Sequence, residues 1–287
     1  MKRGLRIVAG LVAAALAVVA IPASAEHDTN YLALGDSYAF AYNPVVVATG
    51  GAGHAANFSG YADKLGTALD TTVTNAACPG ETSGSMISGT LPDNGCRSYR
   101  SYFPLHVPYS GSQLAFAVSF LRSHDHVDLV TLQIGGNDIL QLEAQCKSDA
   151  ACIINRLPAV EAQLAANLNV IYSTIRNGAH YRRTLVAVTY FAFNYNDPNT
   201  VAIVRSLDGV EATVAAKYHA KFADILGAFA LASAPSGIPC IAGLQVVLNP
   251  GPPLSCDIHP SAAGHTVYAQ AILEVVPRGE SVEARAS

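Results

Sequence analysis

Short apolar runs alternate along this chain with segments of helical period, and this alternation restricts the fold more than any other feature. Residues 127–134, Val-Asp-Leu-Val-Thr-Leu-Gln-Ile, are followed directly by two glycines and read as the clearest strand. Residues 31–34, 71–75, 184–189 and 221–225 read as further strands. Residues 61–69, 112–123, 158–176, 198–218 and 261–275 read as helices, with Pro158 and Pro198 opening two of them. Strand followed by helix, repeated, is the pattern of a parallel sheet covered by helices, an α/β fold. Three stretches, 39–59, 84–111 and 234–260, are rich in Gly, Pro and Ser and are expected to be irregular. Long loops in a compact domain often carry function.

The first 25 residues stand outside this pattern. Lys2, Arg3 and Arg6 precede an apolar run over 7–21, and Ala23-Ser24-Ala25 places small residues where a signal peptidase reads. Residues 1–25 therefore read as a cleaved secretory signal, with 26–287 as a single extracellular domain. No later apolar run approaches the ~20 residues of a spanning helix, so no stable membrane insertion is expected after cleavage. Export fits the six cysteines. They fall into three local pairs: Cys78 with Cys96, Cys146 with Cys152 and Cys240 with Cys256. Many pairings are formally possible, and the sequential one is favoured because each pair brackets one loop. No CxxC pair and no histidine at ligand spacing accompanies them, which argues against a metal site. The formal net charge is −4 and no basic run occurs, which argues against nucleic acid as a partner.

Four landmarks carry the chemistry. Gly35-Asp36-Ser37 follows the first strand, Cys78-Pro79-Gly80-Glu81-Thr82 the second, and Gly135-Gly136-Asn137-Asp138 the third. Asp257-Ile258-His259-Pro260 precedes the last helix. In open α/β sheets ligands bind beyond the carboxyl ends of the strands, so the first three can converge though distant in sequence. Their residue types suit acyl transfer. A serine hydroxyl needs a base to take its proton as it attacks, and His259 is the best candidate for that base. Asp257 is a candidate to hold the other ring nitrogen. The oxyanion that develops needs preorganised donors, which the Ser37 and Gly80 N–H groups and the Asn137 amide can supply. Each element alone is commonplace; the four together, each at a functional edge, make a site.

These blocks resemble those of the GDSL, or SGNH, hydrolase superfamily across nearly the whole mature chain, 31–275. The run from Tyr31 to Ser37 resembles its first block, which carries the nucleophile. The run from Asn75 to Thr82 resembles the second, with the oxyanion glycine, and Ile134 to Asp138 the third, with the oxyanion asparagine. The run from Asp257 to Gly264 resembles the fifth, with the catalytic histidine. The cysteine-bearing second block, the leader and the three cysteine pairs look most like secreted actinobacterial esterases and lipases of this group. The resemblance implies a three-layer α/β/α sandwich around a five-stranded parallel sheet, flavodoxin-like, with no metal and no cofactor. In one respect the chain departs from the pattern. The family usually has aspartate three residues before the histidine, where this chain has Cys256. Either Asp257 or a main-chain carbonyl near Ser255 or Cys256 then orients His259.

Other residues read more plainly. His124-Asp125-His126 lies between a helix and a strand and is a solvated loop in preference to a metal site. Asp36 and Asp138 are expected to brace their turns. Tyr38, Phe40 and Tyr42 line an acyl pocket or belong to the core. No Gly-x-Ser-x-Gly elbow occurs, which disfavours the α/β-hydrolase fold. The expected function is a secreted, monomeric serine esterase or lipase acting on a small-molecule or lipid ester through an acyl-enzyme. The alternatives are a carbohydrate O-deacetylase, which the absence of tryptophan disfavours, and a catalytically silent binding protein of the same fold.

Overall fold

The computed structural model describes residues 29–277; the expected leader lies outside the described residues. The strands are β1 (Asn30–Gly35), β2 (Thr72–Asn75), β3 (Val127–Gln133), β4 (Thr184–Val188) and β5 (Lys221–Ala223), with β6 (Gln245–Asn249) and β7 (Ser255–Pro260) apart from them. The helices in chain order are α1 (Ser37–Phe40), α2 (Pro44–Ala48), α3 (Tyr61–Leu69), α4 (Ser83–Ile87), α5 (Cys96–Tyr102) and α6 (Gln113–Ser123). They continue with α7 (Gly136–Cys146), α8 (Ala150–Ser173), α9 (Pro198–Lys217), α10 (Ile225–Ala232) and α11 (Ala262–Val275).

Strands β1 to β5 form one parallel sheet in the order β2-β1-β3-β4-β5. The central strands β1, β3 and β4 are almost entirely buried because both faces are covered. Helices α3, α10 and α11 pack together on one face, while α4, α6, α8 and α9 build the other. This is the expected α/β sandwich. The order reverses between β1 and β3, which opens a crevice beyond their carboxyl ends. Ser37 follows β1 and Asn137 follows β3, so both stand at that crevice.

Short polar side chains set where the helices start. Ser112, Asp149, Asp197 and Ser261 each accept a backbone N–H from the first turn of α6, α8, α9 and α11. Asp149 corrects one expectation: α8 opens at Ala150, and Pro158 lies inside it. Proline removes the N–H that would reach the Ile154 carbonyl. Ile154 faces outward at 65% exposure, where water can satisfy that carbonyl. Helix α10 was not legible, since Ile-Leu-Gly-Ala-Phe-Ala-Leu-Ala has no polar face to reveal a period; it also cuts β5 short at Ala223. The three stretches expected to be irregular contain the short helices α2, α4 and α5. The last of them folds into the antiparallel hairpin of β6 and β7.

All three cysteine pairs are joined in the sequential order. Cys78–Cys96 ties the turn after β2 to α5. Cys146–Cys152 joins the end of α7 to the start of α8. Cys240–Cys256 fastens β7 to the turn before β6. His124, in the loop between α6 and β3, has its ring against the Phe120 carbonyl at 2.9 Å and stacked on the Phe120 ring, closing the helix end.

Candidate active site

The site begins with the turn after β1. Gly35 has φ +143°, and a Cβ there would lie 2.1 Å from the Gln133 carbonyl oxygen on β3, so only glycine fits. The chain then turns sharply into α1, which starts at Ser37. Asp36 caps that helix: its Oδ1 accepts the Tyr38 N–H at 3.0 Å and its Oδ2 accepts the Tyr190 hydroxyl at 2.6 Å. Asp36 therefore braces the turn, with Tyr190 from the loop after β4 as an unforeseen partner.

His259 enters from the hairpin, 222 residues later. Its Nε2 lies 2.8 Å from Ser37 Oγ. Its Nδ1 meets Asp257 Oδ1, and the same oxygen accepts the His259 backbone N–H at 3.0 Å. Two residues of extended chain suffice for this contact because the carboxylate folds back beside its own strand. The Gln245 side chain on β6 donates to the Asp257 carbonyl at 2.8 Å, and Tyr38 donates its hydroxyl to the Ile258 carbonyl at 2.6 Å. The Tyr38 and Tyr42 rings flank the imidazole at 5.4 and 4.9 Å. Phe40 instead packs against Phe58, Tyr99 and His106 in the core. Burial pushes the Asp257 carboxyl up, but the bond to the His259 ring, the charge there and the backbone N–H outweigh it and hold the carboxyl below its ordinary value.

Gly80 and Asn137 stand on the other side of Ser37. Gly80 has φ +83°, and a Cβ would lie 2.4 Å from the Asn94 carbonyl oxygen. The glycine is thus demanded by the Asn94–Gly95 backbone behind it. Asn137 donates one Nδ2 hydrogen to the Glu81 carbonyl at 3.0 Å and accepts from Asn94 Nδ2 at 2.8 Å. These two bonds fix the amide and leave its second hydrogen for a ligand. Asp138 accepts both the Ser83 N–H and hydroxyl, at 2.9 and 2.6 Å, which docks α7 on α4.

One side chain joins the two halves. Gln113, fully buried at the start of α6, accepts from the Gly35 N–H at 2.6 Å and donates to the Gly35 carbonyl at 2.9 Å and to Glu81 at 3.2 Å. It treats the Gly35 peptide as a neighbouring strand would, while touching the turn that carries Gly80. Gln113, Asn94 and Tyr190 were missed from sequence because a lone polar residue in a loop or helix start carries no spacing signal.

Behind the site lies a group of buried acids. Burial pushes Asp36, Glu81 and Asp208 up to about 7, against the hydrogen bonds that favour their ionised forms, and raises Glu211 well above its ordinary value. Glu211 Oε1 and Asp208 Oδ1 find no hydrogen-bond partner among the described residues. A carboxyl raised in the folded state stabilises the fold when protonated, and that contribution fades as pH climbs through its folded pKa. The unfolded carboxyls ionise near pH 4 and the buried ones near 7, so the melting temperature is expected to fall between about pH 4 and 7, and the pair Asp208→Asn with Glu211→Gln to flatten the slope. Thermal melts across that range check this; a slope unchanged in the double variant would show that these carboxyls are already ionised.

Among the described residues one grouping of possible metal ligands occurs, Cys78, Glu81 and Cys96, and both sulfurs are committed to a disulfide. No helix among the described residues is long and apolar enough to cross a membrane.

Residues 33–267 match the model of the GDSL-like lipase/acylhydrolase family. No curated protein matches the sequence. Among solved structures, a phospholipase A1 from Streptomyces albidoflavus NA297 is 21% identical with a TM-score of 0.56, covering 86% of this chain and 99% of its own. An extracellular lipase from Streptomyces rimosus is 20% identical with the same TM-score and coverage. A catalytic mutant of an acetylxylan esterase from Geobacillus stearothermophilus is 16% identical with a TM-score of 0.53, covering 88% and 95%. At these identities the likeness is one of fold. The family match extends over most of the chain and through all four landmarks, and on it the chain belongs to the GDSL-like lipase/acylhydrolase family and is a carboxylic ester hydrolase.

Proposed function

We propose that this protein is a secreted, monomeric esterase–lipase that hydrolyses esters of medium-chain acids through an acyl-enzyme on Ser37. The observation that carries the reading is the 2.8 Å contact between Ser37 Oγ and His259 Nε2, with the Asp257 carboxylate on the other ring nitrogen. In this mechanism His259 takes the hydroxyl proton as Ser37 attacks the ester carbonyl. The Ser37 and Gly80 N–H groups and the Asn137 amide stabilise the oxyanion. The tetrahedral intermediate collapses, His259 protonates the departing alcohol, and the acyl group remains on Ser37. Water, deprotonated by His259, then releases the acid and restores the serine. No cofactor takes part.

The acyl preference rests on a cavity of about 280 Å³ beside the site. Asp36, Tyr38, Asn137 and Ile258, chain neighbours or partners of the site residues, line one part of it, and Ile139, Leu140, Phe191, Val204 and Leu207 form apolar walls. A methylene displaces slightly less volume than a water molecule, ~30 Å³, so the cavity holds a chain of about eight to ten carbons. An acetyl group would leave most of this apolar surface unfilled, which counts against the O-deacetylase reading.

Nitrophenyl esters from acetyl to palmitoyl, run beside acetylated xylan and pectin, test the proposal. The kcat/KM is expected to peak near octanoyl to decanoyl, and Val204→Trp to move the peak to shorter chains. An acetyl optimum, or faster turnover of acetylated polysaccharide, would replace this reading with the deacetylase. Secretion rests on the leader pattern and the three disulfides; N-terminal sequencing of exported protein is expected to start near Glu26.

A further inference from the structure

The chain has 17 Lys and Arg and 21 Asp and Glu, yet none of them falls in residues 37–62 or 225–256. These two segments flank the candidate active site. The first carries Ser37 and Tyr42, whose ring lies against His259, and runs on into α2. The second runs through β6 and the tip of the hairpin whose return strand carries His259. Helix α2 packs against β6, so the two uncharged segments meet.

Burial does not account for the missing charge. Val45 on α2, Ile241 before β6, Val247 and Leu248 on β6 and Leu254 before β7 are 38% to 59% exposed. A soluble surface ordinarily has charge on roughly a quarter to a third of its residues. Val247 and Leu248 are neighbours on one strand and so point to opposite faces of the ribbon, and both are exposed. Burial falls along β6 from Gln245 to Asn249 and rises along β7 from Ser255 to Pro260, so the tip stands clear of the body. Pro250, Gly251, Pro252, Pro253 and Leu254 make the turn between the strands, and none has a polar side chain. Such a tip offers a charged partner nothing to pair with. Exposed on both faces, it suits an apolar medium that surrounds it better than a flat protein surface. Farther along β7, Ile258 lines the cavity assigned above to the acyl chain, so the apolar rim leads into that cavity.

We propose that the β6–β7 tip and α2 dip into the surface of a lipid aggregate and hold the ester site against it, so that an acyl chain passes from lipid to cavity without crossing water. The inference rests on the esterase–lipase reading of the site and adds where that enzyme works. The attachment is apolar, so it is indifferent to headgroup charge and to salt, unlike that of a basic membrane-binding surface.

Flotation of Ser37→Ala protein with phosphatidylcholine vesicles tests it, since this variant leaves the lipid uncleaved. Binding is expected at about 0.05 M and about 0.5 M salt alike, and to change less than about twofold when phosphatidylglycerol replaces part of the lipid. Adding Val247→Ser/Leu248→Ser/Leu254→Ser is expected to weaken binding about tenfold or more with unchanged melting temperature. With Ser37 intact, the same triple variant is expected to keep wild-type turnover of dissolved nitrophenyl butyrate and to lose about tenfold or more on emulsified trioctanoylglycerol. Failure to bind vesicles, binding confined to anionic vesicles at low salt, or unaltered binding by the triple variant overturns the proposal. So does a dimer in light scattering that the triple variant dissociates, because a second copy would then cover this face. If the triple variant melts early, Val45→Asp and Leu248→Asp, on separate elements, must each weaken binding for the proposal to stand. Wild-type protein that cleaves the dissolved ester but ignores vesicles removes this inference alone. Protein that binds vesicles but cleaves no ester removes the esterase–lipase reading and leaves the lipid-binding face.

Discussion

Replacing Ser37 with alanine is expected to lower kcat for a nitrophenyl ester by about five to six orders of magnitude, the scale seen when a Ser–His nucleophile is removed elsewhere. The hydroxyl oxygen is the atom that forms the acyl bond, and among the described residues no other serine or threonine hydrogen-bonds to His259. What remains would come from the oxyanion donors and from binding. The fold should survive. The Ser37 side chain makes one hydrogen bond, to His259, and a single bond of that kind contributes about 1 kcal/mol. Asp36, Gln113 and Tyr190 would still hold the turn. Turnover, melting temperature and the mass shift after an organophosphonate should be measured together. A folded Ser37→Ala protein that keeps most of its turnover, or wild-type protein labelled elsewhere, would remove Ser37 from the mechanism.

Asp257→Asn is the second large effect, an expected loss of about three to four orders in kcat with KM little changed. An amide that turns its Nδ2 to the ring leaves it in the wrong tautomer, and one that turns its oxygen there carries no charge to stabilise the imidazolium that forms as the serine proton is taken. The contact with His259 holds the Asp257 carboxyl below its ordinary value, so it stays ionised down through the acidic range. The wild-type acid limb should therefore not follow an ordinary carboxylate. A main-chain carbonyl at Ser255 or Cys256 in the same role would make Asp257→Asn cost less than about tenfold, since the ring would keep its anchor. The Cys240–Cys256 bridge and the Gln245 bond to the Asp257 carbonyl keep the hairpin in place in either variant, so the comparison reads the side chain alone.

Much of the sheet was legible because its strands are buried on both faces. Residues 127–134 and 184–189 are mostly apolar for that reason, with Asp128, Thr131 and Gln133 the polar members of the first and Thr184 and Thr189 at the ends of the second. The start of α8 was not legible, because a proline at 158 is a stronger local signal than an aspartate at 149, and only solvent at the Ile154 carbonyl makes the interior proline tolerable. The hairpin that carries Asp257 and His259 was hidden in a stretch of Gly, Pro and Ser. Its two strands, 245–249 and 255–260, are half exposed and have no clean alternation of apolar and polar residues.

Fold class, a favoured order of cysteine pairing and the residue types at four strand or loop ends could be read from the sequence, since these depend on local period, local spacing and composition. The tertiary structure alone decided that the Asp257 carboxylate meets His259 Nδ1, that Gln113 grips the Gly35 peptide, that Asn94 backs Asn137, and that the uncharged segments 37–62 and 225–256 meet beside one site. Each is a contact between segments tens to hundreds of residues apart or a matter of side-chain direction. Neither is fixed by the spacing of residues along the chain, because both depend on how strands pair and where the backbone turns.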